Sequence, residues 1–266
     1  MPALVMQSLR EYRRLLIGWT IGISVFMSIY IGIYASIKES PEVYGPAALA
    51  KYPGALKDLM GGLADFTSGP GFLQSVVYQL FVPMLFIACA CGIGNRAIAQ
   101  PEEDGLLELT VTLPIERVRL LLQRFGAGLL GLLAAAVLTY AIAWAVATNV
   151  GVGVPADRIL AAHTGVLLLA LFFGTLTLAV GAATGRKGLA SAVAAVWTIG
   201  GYAIVTIGQN VSAIAWLKWI SPFHYYLEGK PIYQGFPVGD YLVLAGATAV
   251  LLLTAALAFD RRDVGV

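Results

Sequence analysis

Six stretches of this chain, residues 15–37, 73–93, 125–150, 160–184, 189–208 and 241–259, are each apolar for about 20 residues. At ~1.5 Å of rise per helical residue, each covers the ~30 Å of a bilayer's hydrocarbon. Backbone polar groups find no water there, so spans of this length must be helices whose amides and carbonyls pair internally. The alternative is a soluble helical bundle, which needs a charged face on every helix. Only 12% of the 266 residues are charged and 59% are hydrophobic, whereas ordinary soluble domains are about 25% charged. The expected fold is an all-α integral membrane protein of six transmembrane helices, with residues 1–266 forming one membrane domain.

Arginine and lysine favour the cytoplasmic side of a membrane. With the N-terminus inside, eleven of the seventeen Lys and Arg are cytoplasmic, including ten of the eleven Arg. Both termini are therefore expected inside. The first span is about 23 residues, too long for the apolar core of a cleaved signal, and it is expected to remain as an anchor. Ahead of it, Val5, Leu9, Tyr12 and Leu16 recur at helical spacing, with Gln7, Arg10, Glu11 and Arg14 on other faces. This predicts an amphipathic helix over residues 1–14 lying in the interface before the chain turns to span. A plain helical extension of the first span is the alternative.

On the outer side, residues 38–72 contain Pro41, Pro46, Pro53 and Pro70, with a short amphipathic stretch at Leu56, Leu59, Met60 and Leu63. Residues 209–237 contain Trp216, Trp219, Tyr225, Tyr226 and Tyr233. Tryptophan and tyrosine settle at the headgroup level, so both segments are expected to fold back onto the outer interface.

Several chemistries are excluded. A net charge of +2 carries no nucleic-acid-binding excess. Cys89 and Cys91, at i and i+2 of an apolar helix, diverge and read as packed thiols. No metal-ligand cluster or nucleophile–base constellation is present. The nearest approach to a nucleotide-binding loop, GAATGRKG at residues 181–188, lacks both the spacing and the Ser/Thr after Lys. Its Arg186 and Lys187 read as a charge clamp on a tight cytoplasmic turn. No span has Asp, Glu, Lys or Arg near its centre, the usual coupling group of an ion-driven transporter. His163, near the outer end of the fourth span, reads as interfacial. Transport by such a chain would take its energy from another polypeptide.

The cytoplasmic connection at residues 94–124 is the richest in charge. Pro101 followed by Glu102, Glu103 and Asp104 starts a helix, because proline suits the first turn and acids complement the positive dipole end. Leu106, Leu109 and Leu113 then share a face, Pro114 interrupts, and Glu116, Arg117 and Arg119 lead into the third span. An ordinary solvated loop satisfies the same charges.

The stretch EEDGLLELTVTLPIERVRLLL (residues 102–122) resembles the cytoplasmic coupling region of ABC-2-type transporter permeases. IKESPEVY (37–44), LADFTSGPGFL (63–73), SPFHYY (221–226) and the ending FDRRDVGV (259–266) follow the same layout in the same order. The resemblance implies a permease subunit of an ATP-driven exporter in a prokaryotic plasma membrane. It implies a homodimer served by two copies of a separate ATPase, which binds the ATP and Mg. This chain is then no enzyme and holds no cofactor. The resemblance also implies a coupling helix docked on the ATPase, carried here by Glu102, Glu103, Asp104, Gly105, Leu106, Leu107 and Glu108. An outer re-entrant segment is carried by Trp216, Trp219, Ser221, Pro222, Phe223, His224, Tyr225 and Tyr226.

Leu107 lies off the leucine stripe, so Leu107 and Glu103 are expected to face the ATPase. The apolar spans favour an amphipathic, drug-like or lipid-like cargo, with membrane lipid around the helices. An ion-coupled transporter or channel, and a non-transporting assembly factor, remain the rival readings. Gly18 with Gly22, and Gly181 with Gly185, are small-xxx-small pairs that permit close helix approach.

Overall fold

The computed structural model describes residues 2–40, 53–54, 67–107, 116–208, 211 and 213–262. The stretch around Leu56 to Leu63, and Glu108, Leu109, Leu113 and Pro114 of the coupling region, lie outside the described residues. Nine α-helices appear among the described residues. They are α1 (Pro2–Glu39), α2 (Gly69–Ala97), α3 (Ala99–Glu103), α4 (Arg117–Val150), α5 (Ala156–Thr184), α6 (Lys187–Thr206), α7 (Pro222–Leu227), α8 (Pro231–Gln234) and α9 (Val238–Arg261). A 3₁₀ turn, Ala215–Ile220, precedes α7. Six of them, α1, α2, α4, α5, α6 and α9, are long and apolar enough to cross a membrane. The protein is an all-α membrane protein with its spans where the hydropathy puts them.

The first of these departs from expectation. No separate interfacial helix covers residues 1–14, because the chain continues unbroken through α1 for 38 residues, about 57 Å. Between residues 3 and 17 there is neither Pro nor Gly to interrupt it, and Leu, Met, Gln, Glu and Arg all favour helix. The apolar face finds protein rather than lipid: Tyr12 is fully buried, with Val5, Leu9 and Leu16 packed on the same core. Its partner is α4, which at 34 residues is also longer than a membrane requires and runs beside it.

Helix α5 is the centre of the bundle. It is apolar on every face, which suits a helix surrounded by others, and 72% of its apolar window is buried, against 17% in α1 and 28% in α6 and α9. Small residues set its approach to α2. A Cβ on Gly94 would lie 2.4 Å from the Gly174 carbonyl oxygen, and one on Gly174 would lie 3.0 Å from that of Ala90. Gly181 similarly admits Ala99. Gly18 and Gly22 face open space, so that pair brings no helix close within the protomer. Inside the apolar core, the hydroxyls of Thr139, Thr175, Thr177, Thr198, Thr206 and Thr248 each donate to the carbonyl four residues back at 2.7–2.9 Å, so none is left without a partner where water is absent.

Helix α2 changes register along its length. After one α turn at Gly69–Phe72 it runs as π-helix from Leu73 to Phe81, then as α-helix from Val82. Pro83, which has no N–H to give, lies just beyond the change of register. The Val82 amide bonds back to the Val77 carbonyl, so the next carbonyl, that of Tyr78, is paired in register with a proline. The hydroxyl of Tyr226, brought over by α7, donates to it at 2.6 Å.

Three substitutions test this packing in detergent-solubilised protein. Gly94→Ala should lower stability by about 1–3 kcal/mol, since backbone must move to admit the methyl, while Gly22→Ala should fall within ~0.5 kcal/mol of wild type. Equal melting temperatures for the two would contradict the α2–α5 contact. Tyr226→Phe leaves the Tyr78 carbonyl unpaired, at an expected cost of about 1–3 kcal/mol. A Tyr226→Phe protein as stable as wild type would remove the hydroxyl from the account of the π register.

Candidate functional site

The N-terminal part of α1, the C-terminal end of α9 and the connection after α2 meet at one end of the bundle, where Glu102, Glu103, Lys187 and Arg262 pair. Ile98, wholly buried, breaks the chain direction between α2 and α3. Pro101 sits in the first turn of α3, where its missing N–H is not needed. The helix stops at Glu103, and Gly105 turns the chain through φ +70°, a left-handed conformation that favours glycine.

That turn resets which side chains face outward. Leu106 is 57% exposed and Leu107 is 0% exposed, the reverse of what a continuous helical stripe predicts. Leu107 is buried with Ile98, Leu120, Leu121, Ala182 and Phe259, at the ends of α2, α4, α5 and α9. It is an anchor and cannot meet a partner.

The acids of α3 are likewise engaged within the chain. Glu102 pairs with Arg262, just beyond α9. Glu103 accepts from the Lys187 main-chain N–H at 2.8 Å and lies 3.7 Å from its ammonium. That amide is the first of α6, where donors lack intrahelical acceptors, so Glu103 caps a helix more than 80 residues away in sequence and complements its dipole. Gly185, at φ +68°, ends α5 between these pairs; a Cβ there would sit 2.6 Å from both Arg262 Nη1 and Glu102 Oε1. Arg117 donates to the Arg262 carbonyl. Arg124, 8% exposed, donates to the Ala97 carbonyl at 2.6 Å, at the C-terminus of α2.

The result is a clasp: α3 holds the α5–α6 turn and the end of α9 through charge, and α2, α4 and α5 through Leu107. Asp104, Gly105 and Leu106 form its outer edge, all exposed. Arg262 and Lys187 were not identifiable as partners from spacing, although acids and bases sharing one membrane face were a general signal.

At the opposite end, Ser221 caps α7 by accepting from the Phe223 amide at 3.2 Å, and its hydroxyl donates to the Gly201 carbonyl at 2.8 Å. Pro222, Phe223 and His224 are buried; Phe223 meets Phe173 of α5 and Tyr202 of α6. Burial pushes the Tyr226 phenol well above its ordinary range, which keeps its proton available for Tyr78. Tyr225 donates to the Trp219 carbonyl at 2.9 Å. Trp216 and Trp219 are each 59% exposed. His163 is buried within the protein: it is 2% exposed, its Nδ1 2.7 Å from the Tyr78 hydroxyl and its ring edge-on to Tyr78 and Tyr140.

No curated protein matches this chain. The sequence profile of the ABC-2 family transporter proteins matches residues 3–264, nearly the full length and every helix described above. The chain belongs to the ABC-2 family of transporter proteins, as a multi-pass membrane permease.

Proposed function

We propose that this permease is the membrane half of an ATP-driven exporter, receiving its stroke at α3 from a separate ATPase. The observation that carries the reading is the two-sidedness of the clasp. One edge, Asp104 to Leu106, is exposed, while the other is fastened to α2, α4, the α5–α6 turn and α9. A segment free on both sides would swing without effect; a segment buried on both sides would have no partner. Closure of an ATPase against the outer edge moves the ends of four spans together, and such rigid-body shifts exchange inward- and outward-open states.

The excess of Arg on the terminal side supports a cytoplasmic placement of α3 and both termini, in a prokaryotic plasma membrane. ATP and Mg belong to the ATPase, present in two copies for a homodimer of this chain. The apolar outer faces of α6 and α9, largely uncovered within one protomer, suit contact with a second copy or lipid. The same apolar character favours an amphipathic, drug-like or lipid-like cargo. The α7–α8 segment is read as re-entrant at the outer interface.

Adjacent leucines separate docking from folding. Leu107→Ala should destabilise the protein by about 2–5 kcal/mol, as for other buried leucines. Leu106→Ala should leave melting and membrane insertion at wild-type values but weaken ATPase co-purification and cargo-stimulated hydrolysis by about 5- to 100-fold, the range of a good interface residue. Full ATP-dependent transport by Leu106→Ala in vesicles would refute docking at this edge. Transport that follows an ion gradient without ATPase would refute the exporter reading.

A further inference from the structure

We infer that the groove between α1 and α4 is a binding site for one anionic glycerophospholipid of the cytoplasmic leaflet. The groove is open along one side and has a volume of about 590 Å³. Its α1 wall is a single helical stripe, Met6, Arg10, Arg13, Ile17 and Ile21, at spacings of three and four. The opposite wall is Leu130, Ala134 and Leu138 of α4. Gly131 lets the helices meet at its floor, where a Cβ would lie 2.5 Å from Leu16 Cδ1. Past Met6 the stripe is divided by chemistry: guanidinium groups at Arg10 and Arg13, then apolar side chains at Ile17 and Ile21.

Neither Arg10 nor Arg13 has an ion-pair partner among the described residues, and both are exposed. Helical side chains lean toward the N-terminus, so both guanidiniums reach away from the hydrocarbon toward the headgroups. From Arg13 to Ile21 is eight residues, about 12 Å of helix, against about 15 Å for one leaflet's half of the hydrocarbon. An acyl chain beside Ile17 and Ile21 therefore places its phosphate at the two arginines. Two unpaired guanidiniums favour a headgroup of net negative charge over a zwitterionic one, whose ammonium they repel. A second copy of the chain would have to present an acidic group at that depth; a bilayer supplies one continuously.

This inference rests on the cytoplasmic placement of the N-terminus proposed above. Its test reads lipid retention by the purified full-length chain alone, so a missing ATPase partner leaves it untouched, and its failure leaves the exporter reading standing. The protein is incubated in detergent with equimolar phosphatidylglycerol and phosphatidylcholine of matched chains, and bound lipid is counted by native mass spectrometry. Wild type should retain phosphatidylglycerol at least about fivefold over phosphatidylcholine. The Arg10→Gln/Arg13→Gln protein should lose that preference, and Arg10→Lys/Arg13→Lys should keep most of it. Arg14→Gln/Arg119→Gln, equal in charge but outside the groove, should behave as wild type. Ala134→Trp, which fills the groove and leaves both arginines, should reduce retention of the tightly held lipid. Equal retention of the two lipids by wild type, or an unchanged preference in both groove variants, overturns the assignment. So does loss of dimers without loss of lipid in the arginine variant, which would make the groove a protein interface.

Discussion

Hydrocarbon offers a chain no hydrogen bonds, and much of this protein's architecture answers that restriction. It dictates helices for the spans and sends threonine hydroxyls back to their own backbone. It also explains why one proline has consequences at a distance. Pro83 withholds an amide just beyond the π register of α2, and the carbonyl left over is met by Tyr226 from a helix almost 150 residues later in the chain. A local deficit in the membrane interior is thus repaid by tertiary structure, which ties α7 to α2 at the outer end.

The ion pairs of the clasp lie at the other end for the same reason. Glu102, Glu103, Lys187 and Arg262 pair where the helices leave the hydrocarbon, and α3 is fastened there as firmly as a five-residue helix can be. The exposed Glu103–Lys187 pair contributes only about 0–1 kcal/mol, and the half-buried Glu102–Arg262 pair sets its attraction against its own desolvation, so the anchoring strength of the clasp resides mainly in buried Leu107 and Ile98. The charges give direction: they select the α5–α6 turn and the end of α9 as the elements that move with α3. Thus the exposed edge after α3 and the ends of the spans it touches are mechanically one piece, as the proposed ATPase-driven stroke requires.

Hydropathy is a local property, and the six spans were legible from it to within a few residues at most ends. The clasp was legible only as a region. Helical spacing carried across Gly105 put Leu107 outside and Leu106 on the inner stripe; a left-handed glycine breaks that phase, and nothing in the stripe announces it. The partners of Glu102 and Glu103 lie 160 and 84 residues away, beyond any spacing rule. The continuity of α1 was decided by α4, whose extra length offered the N-terminal apolar face a protein surface. His163 looked interfacial from depth alone, but the Tyr78 hydroxyl bonded to its Nδ1 comes from another span. In each case the missing information was tertiary.

The central claim is that α3 presents its exposed edge to an ATPase on the cytoplasmic face. A photo-crosslinking amino acid placed at Leu106 in cells, with one at Leu107 as the buried control, tests it directly. The account predicts a light-dependent adduct from position 106 with a polypeptide carrying a G-x-x-x-x-G-K-[ST] nucleotide-binding loop, and none from position 107. Adducts from position 106 with lipid alone, or equal adducts from both positions, would contradict it.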